Sequence, residues 1–218
     1  MRRLAFSSMT SKRDLTSPVQ SNDFKDALMK SSASQSIFVA LLRGVNVGGK
    51  NMINMSSLKT SFEQLGFKDV STYINSGNIL FKSKETDARK LEKKIEQMLS
   101  QEYKLESKVV VKSYSEIANL IASLPKKWNG DKAYRFNVMF LRHAIDSEDI
   151  LKGLEPNQEI EEVVVYRPGA LLWSSRLCDL NQTSMAKLGN KKPFQEVTVR
   201  NLNTTRKLYE LLKKMAEG

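Results

Sequence analysis

Short apolar runs alternate along this chain with stretches in which apolar residues recur every three or four positions. The run Ile37 to Arg43 predicts a buried strand. Leu58, Phe62 and Leu65 follow at helical spacing, with Ser56 or Ser57 as the expected N-cap and Gly66 as the stop. Val70, Tyr73 and Ile74 predict a second strand. Ile79 to Phe81 predicts a third, returning across the turn Asn75-Ser76-Gly77-Asn78. Ala88, Leu91, Ile95, Met98 and Leu99 line one face of a long helix, and Lys108 to Lys112 reads as a closing strand. The order β-α-β-β-α-β is the split βαβ, ferredoxin-like pattern.

Ser113-Tyr114-Ser115-Glu116 is a capping box that opens a helix through Ile117, Leu120, Ile121 and Leu124. A polar stretch from Pro125 to Lys132 follows, and then the pattern restarts. Phe136 to Leu141 predicts a strand, and Asp146 can cap a short helix ending at Gly153. Val163 to Tyr166 and Ala170 to Trp173 form a hairpin, Thr183 to Leu188 a short helix, and Val197 to Val199 the last strand. Leu208, Leu211, Leu212 and Met215 mark one face of a terminal helix. The expected fold class is therefore α+β, with two ferredoxin-like subdomains plus a C-terminal helix. The expected division is a disordered or appended tail at 1–36, a first subdomain at 37–124, a linker at 125–133 and a second subdomain at 134–218.

Composition narrows the function classes. The 218 residues carry 35 basic and 24 acidic side chains, a net charge of +11. Residues 1–36 hold nine serines and no apolar period, and removing them leaves +8, so the basic character belongs mainly to the body. One Cys and one His cannot supply the usual zinc site, and no metal site is expected. Cys178 reads as a buried small hydrophobe. No stretch approaches the ~18–20 apolar residues of a membrane span, and with no secretory core the expected location is cytoplasmic.

Three loops carry candidate chemistry. Arg43-Gly44-Val45-Asn46-Val47-Gly48-Gly49-Lys50-Asn51 places glycines and cations between a strand and a helix, where backbone N–H groups can approach a phosphate. Its spacing nearly completes a P-loop, but Asn51 stands where magnesium binding needs Ser or Thr. Hairpin chemistry alone would also explain the turn with Ser76, Gly77 and Asn78. Arg200-Asn201 with Thr204 joins a helix N-terminus to amides and hydroxyls, and plain capping by Asn203 or Thr204 explains it equally. Tyr166, Trp173 and Trp128 could stack on a base or serve as core. His143 has no motif partner for a triad.

The segments Leu41-Leu-Arg-Gly-Val-Asn-Val-Gly-Gly49, Met55-x-x-Leu58, Leu65-Gly66-Phe67, Thr72-Tyr73-Ile-x-Ser76-Gly77-Asn78 and Arg200-Asn201-x-Asn203-Thr204 resemble the largely bacterial family catalogued as domain of unknown function 1697. The resemblance spans about 37–215. It implies an α+β fold of ferredoxin-like subdomains and no established activity. The family usually has an aromatic after the Arg-Asn pair, where this chain has Leu202. The resemblance marks Arg43, Gly48, Gly49, Ser76, Gly77, Asn78, Arg200, Asn201 and Thr204, all within the three loops above. The resulting expectation is a protein that binds a phosphate-bearing ligand, a nucleotide or nucleic acid, through Arg43, Gly44, Asn46, Gly48, Gly49, Lys50, Ser76, Gly77, Asn78, Arg200, Asn201 and Thr204. No cofactor is expected. Two other readings stay open: a metal-independent enzyme on a small phosphorylated substrate, and a non-catalytic homodimeric interaction protein.

Overall fold

The computed structural model describes residues 35–218, apart from 50, 127, 129, 130, 189–191 and 193. The tail expected at 1–36 thus lies, save for its last two residues, outside the described residues. The first half runs β1 (Ser36–Leu42), α1 (Met55–Gln64), β2 (Lys68–Thr72), β3 (Asn78–Ser83), α2 (Ala88–Tyr103) and β4 (Val109–Ser113). A connecting helix, α3 (Tyr114–Ala122), leads to β5 (Tyr134–Leu141), β6 (Val163–Arg167), β7 (Ala170–Arg176), α4 (Ser184–Lys187), β8 (Val197–Asn201) and α5 (Leu202–Glu217). The strands form two antiparallel four-stranded sheets, ordered β2-β3-β1-β4 and β6-β7-β5-β8. The same order in both halves is the one the repeated βαββαβ pattern predicts.

Strand periodicity separates the cores. Phe38, Ala40 and Leu42 point to one face of the first sheet and pack with Leu58, Phe62, Leu91 and Ile95 of α1 and α2. Val39 and Leu41 point the other way, into a core shared by both sheets. That core also takes Ile117 of α3, Leu208 and Leu212 of α5, and Val138, Phe140 and Leu172 of the second sheet. The outer face of the second sheet buries Met139, Leu141, Leu171 and Trp173 under Ile150, Leu188 and Phe194. Both sheets are thus covered on two sides, which is why β1 and β7 read as continuous apolar runs rather than as alternations.

The second half keeps the strand order but reduces the helices. A single 3-10 turn, Glu148–Gly153, stands after β5, and α4 has only four residues. Polar bonds from Glu162 tie these irregular segments down. Its carboxylate accepts from the amides of Asn157 (2.8 Å) and Ser184 (2.9 Å), the Ser184 hydroxyl (2.8 Å) and Trp173 Nε1 (2.7 Å). Burial pushes the Glu162 pKa up, but these donors outweigh it and hold the group below the usual carboxylate range.

Several local expectations are corrected. Asn54, not Ser56 or Ser57, caps α1, because its Oδ1 accepts from both of their amides. Ser147 caps the turn after β5. Asp146 instead accepts from Tyr166 Oη and the amide of Gly169. Asn201, not Asn203 or Thr204, caps α5. Cys178 is exposed. The Ser113–Glu116 capping box forms as read.

Glu162→Gln should cost about 1–3 kcal/mol at neutral pH, by urea denaturation, since it removes a charge that several buried donors surround. A carboxylate with a depressed folded pKa stabilises above its unfolded value, and that stability is lost as pH falls through the folded one. The variant should therefore show a shallower acid-side decline than the parent, and parallel declines would refute this role.

Candidate functional site

The loop after β1 is built on left-handed backbone. Gly44, Asn46, Gly48, Gly49 and Asn51 all have φ between 51° and 75°. Glycine adopts this region freely, and asparagine tolerates it best among the other residues. The two asparagines also lock the loop. Asn46 Oδ1 accepts from the amide of Ile53 (2.7 Å), and its Nδ2 donates to the carbonyl of Asn75 (2.8 Å), tying this loop to the second candidate turn. Asn51 Nδ2 donates to the carbonyl of Gly44 (3.0 Å). Lys50 lies outside the described residues.

The 75–78 turn needs its glycine. Gly77 has φ of 70°, and a Cβ there would sit 2.8 Å from Leu42 Cβ. Asn78 is fully buried and donates to the Tyr73 carbonyl and to Ser76 Oγ, both at 3.0 Å. Its Oδ1 accepts from Arg200 Nε at 2.6 Å. Arg200 reaches from β8 of the second half onto the first. Nη2 donates to the carbonyls of Leu42 (2.9 Å), Ser76 (2.9 Å) and Gly77 (3.2 Å), and Nη1 to that of Val199 (2.9 Å). The guanidinium is 9% exposed and has no carboxylate partner among the described residues. Burial lowers its pKa to about 10, so it stays charged at neutral pH.

The three loops therefore converge, but with unequal roles. Ser76, Gly77, Asn78 and Arg200 form an internal latch of mutual hydrogen bonds, to which Asn46 is tied through the Asn75 carbonyl. Asn201 and Thr204 do not join them: Asn201 Oδ1 accepts from the Thr204 amide (2.7 Å) and starts α5. Leu202, where the family resemblance expects an aromatic, is buried in the shared core, so that departure bears on packing. Gly48 and Gly49 are exposed, with open space where a side chain would go.

A cleft of about 460 Å³ opens beside the latch. Its lining joins Arg43, Gly44 and Arg200 to the apolar Met139, Phe194 and Val197. Thr198, also on its lining, is buried with a hydroxyl that lacks a hydrogen-bond partner among the described residues. Arg43 is exposed, and its guanidinium makes no ion pair among the described residues. The reading from sequence missed Met139, Phe194 and Thr198 as lining residues. The buried-exposed alternation along β8 was the signal that could have paired Thr198 with Arg200.

Strain and exposure concentrate at the same place. Ile74, beside the latch turn, is exposed with φ of 47°, a sterically costly conformation for a β-branched residue. Val47, Met52 and Val199 are also exposed, and all three lie on the converging segments or the cleft wall.

Elsewhere the expected candidates are structural. Trp128 and Trp173 are buried, and Trp173 donates to Glu162. A charged cluster joins the halves: Arg142 after β5 reaches Glu96 (3.1 Å) and Glu92 (3.5 Å) of α2, and also pairs with Glu196. Nearby, Lys112 is buried 3.4 Å from Glu116, and His143 lies 3.8 Å from the same oxygen. Burial, then the Lys112 charge, hold the His143 imidazole below its ordinary range, so it is neutral at pH 7. No group of acidic, His and Cys side chains suited to a metal occurs among the described residues, and no described helix is long and apolar enough to cross a membrane.

A family model described as protein of unknown function (DUF1697) matches residues 36–171. A solved structure, that of the conserved bacterial protein SP0830 from Streptococcus pneumoniae, is similar at a TM-score of 0.70 and 28% identity. The match covers 82% of this chain and 99% of that one. No curated protein matches the chain.

Arg200→Lys should destabilise the fold by roughly 2–4 kcal/mol in urea, because an ammonium cannot serve the dispersed acceptors that one guanidinium reaches. Wild-type stability in that variant would refute the latch. Ile74→Asn should stabilise by about 1 kcal/mol by relieving the left-handed strain, and the same denaturation curve measures it.

Proposed function

The chain belongs to the DUF1697 family of proteins of unknown function, and on that premise we propose that it binds a small phosphate-bearing ligand of the mononucleotide class, in the cytoplasm. One observation carries this reading: two guanidinium groups without carboxylate partners among the described residues line a 460 Å³ cleft together with apolar side chains. The phosphate would meet Arg43 and the N–H groups of the glycine loop, with Arg200 adding its field from beneath. The heterocycle would lie against Met139, Phe194 and Val197. Such a division between a few convergent cations and an apolar wall is the usual make-up of a small-ligand pocket.

The polymer reading has less support, because the tryptophans that would stack on bases are buried. The enzymatic reading lacks an activated nucleophile. The Ser76 hydroxyl accepts from Asn78 Nδ2, and no imidazole or carboxylate bonds to it among the described residues.

The test is a thermal-unfolding series with ATP, AMP, inorganic pyrophosphate and a short single-stranded RNA, at low and moderate salt. A ligand at ~100 times its Kd stabilises by about 2.7 kcal/mol, a readily measured shift. A nucleotide should raise Tm at both salt concentrations, and Arg43→Ala should abolish the shift without changing the unliganded Tm. No shift with any probe, or an unchanged shift in Arg43→Ala, would sink the proposal. A shift by RNA alone that vanishes with salt would assign the charge to non-specific polyanion attraction.

A further inference from the structure

A second hollow, distinct from the cleft beside the latch, lies on the face of the second sheet that looks toward the shared core. Strand register explains it. Phe136 on β5 pairs with Ser174 on β7, and Ser174 pairs with Val163 on β6, so the three side chains form one row across the sheet. The next row toward the core, Val138, Leu172 and Val165, is apolar throughout and filled by the shared core. In the Phe136 row the central member is a small serine between two larger neighbours, and a cavity of about 240 Å³ remains above it.

The walls of this hollow are chemically unusual for so basic a chain. Trp128, buried at 1% exposure, backs Phe136 with ring centroids 5.0 Å apart, and Tyr134 stacks on Phe136 at 6.0 Å. Two carboxylates, Asp131 and Glu161, sit on the lining with these three rings. Tyr134 Oη donates to Glu161, which raises the phenol pKa, while Arg176 approaches the other Glu161 oxygen only to 3.7 Å. Glu161 is 61% exposed and Arg176 50%, so that pair is a loose rim contact. Aromatic faces attract cations through their quadrupoles, and carboxylates on the same rim add direct charge. An anion would meet repulsion from both, and a neutral apolar ligand would leave the carboxylates idle.

We propose that the hollow lined by Tyr134, Phe136, Asp131 and Glu161, and backed by Trp128, is a binding site for an alkylammonium group, with its methyl or methylene surface against Tyr134 and Phe136 and its charge toward the two carboxylates. The site is independent of the nucleotide reading above: it shares no lining residue with the cleft at Arg43, and either could exist without the other.

The experiment is a titration of the full chain with choline chloride against potassium chloride at constant ionic strength. It is followed by intrinsic fluorescence, since Trp128 is one of only two tryptophans. Choline should give a saturable change with a millimolar midpoint. The double variant Asp131→Asn with Glu161→Gln should raise that midpoint at least tenfold while leaving the thermal midpoint unlinked to choline. Tyr134→Phe keeps the ring and releases Glu161 from its hydrogen bond, so it should bind choline as well as the parent or more tightly, an outcome a purely structural role would not produce. A change that is linear and equal for both salts, or a midpoint that the double carboxylate variant leaves unmoved, overturns the proposal.

Discussion

Arg200 is a buried cation that no carboxylate among the described residues neutralises, and the arrangement of the two halves around the candidate site follows from that. A guanidinium out of water needs its N–H groups satisfied. This one is satisfied by the carbonyls of Leu42, Ser76, Gly77 and Val199 and by Asn78 Oδ1. Four of those five acceptors belong to the first half, while Arg200 lies on β8 of the second. The chain thus places an obligatory donor on one sheet and its acceptors at the end of the other. Gly77 has no side chain because Leu42 occupies the space where one would go. Asn78, with both amide atoms engaged, could not be replaced by an isosteric apolar residue without orphaning the guanidinium or the Tyr73 carbonyl.

The latch explains why strain and exposed apolar groups collect where they do. Holding the 75–78 turn against Arg200 fixes the backbone before it, and Ile74 absorbs the cost as a left-handed β-branched residue. Holding Asn46 against Asn75 fixes the glycine loop, which leaves Val47 and Met52 facing solvent. Arg43 emerges from this framework with its backbone tied to Lys108 and Ser107 and its guanidinium without an ion pair among the described residues. A rigid frame beside a guanidinium with no ion pair among the described residues suits preorganised anion recognition.

The second half achieves the same strand order by different means. With only short turns to cover its outer face, it relies on Glu162 as a polar hub and on the charged cluster around Arg142 to engage α2. Helix packing does this work in the first half. On the opposite face of this sheet, the small Ser174 between Phe136 and Val163 leaves the aromatic and acidic hollow.

Periodicity by itself determined the element order, because period-two and period-3.6 apolar patterns have few ways to be buried. Ile37–Leu42, the Ser113–Glu116 capping box and the repeated βαββαβ order were legible on that ground, and the chemistry of glycine and asparagine flagged the three loops. Sequence could not say which side chains those loops spend on themselves. Asn78 and Arg200 are 122 residues apart, and no local pattern reveals that one satisfies the other. Nor could it show that Asn201 caps a helix while Arg43 makes no ion pair among the described residues, since both read as polar residues beside glycine or a helix start. Caps shifted by two or three residues, as at Asn54 and Asn201, for the same reason: several adjacent residues could accept the free amides, and only the path of the preceding chain selected one. The cleft walls came from tertiary structure alone, because Met139, Phe194 and Val197 sit among ordinary core residues until the glycine loop of the other half is placed opposite them.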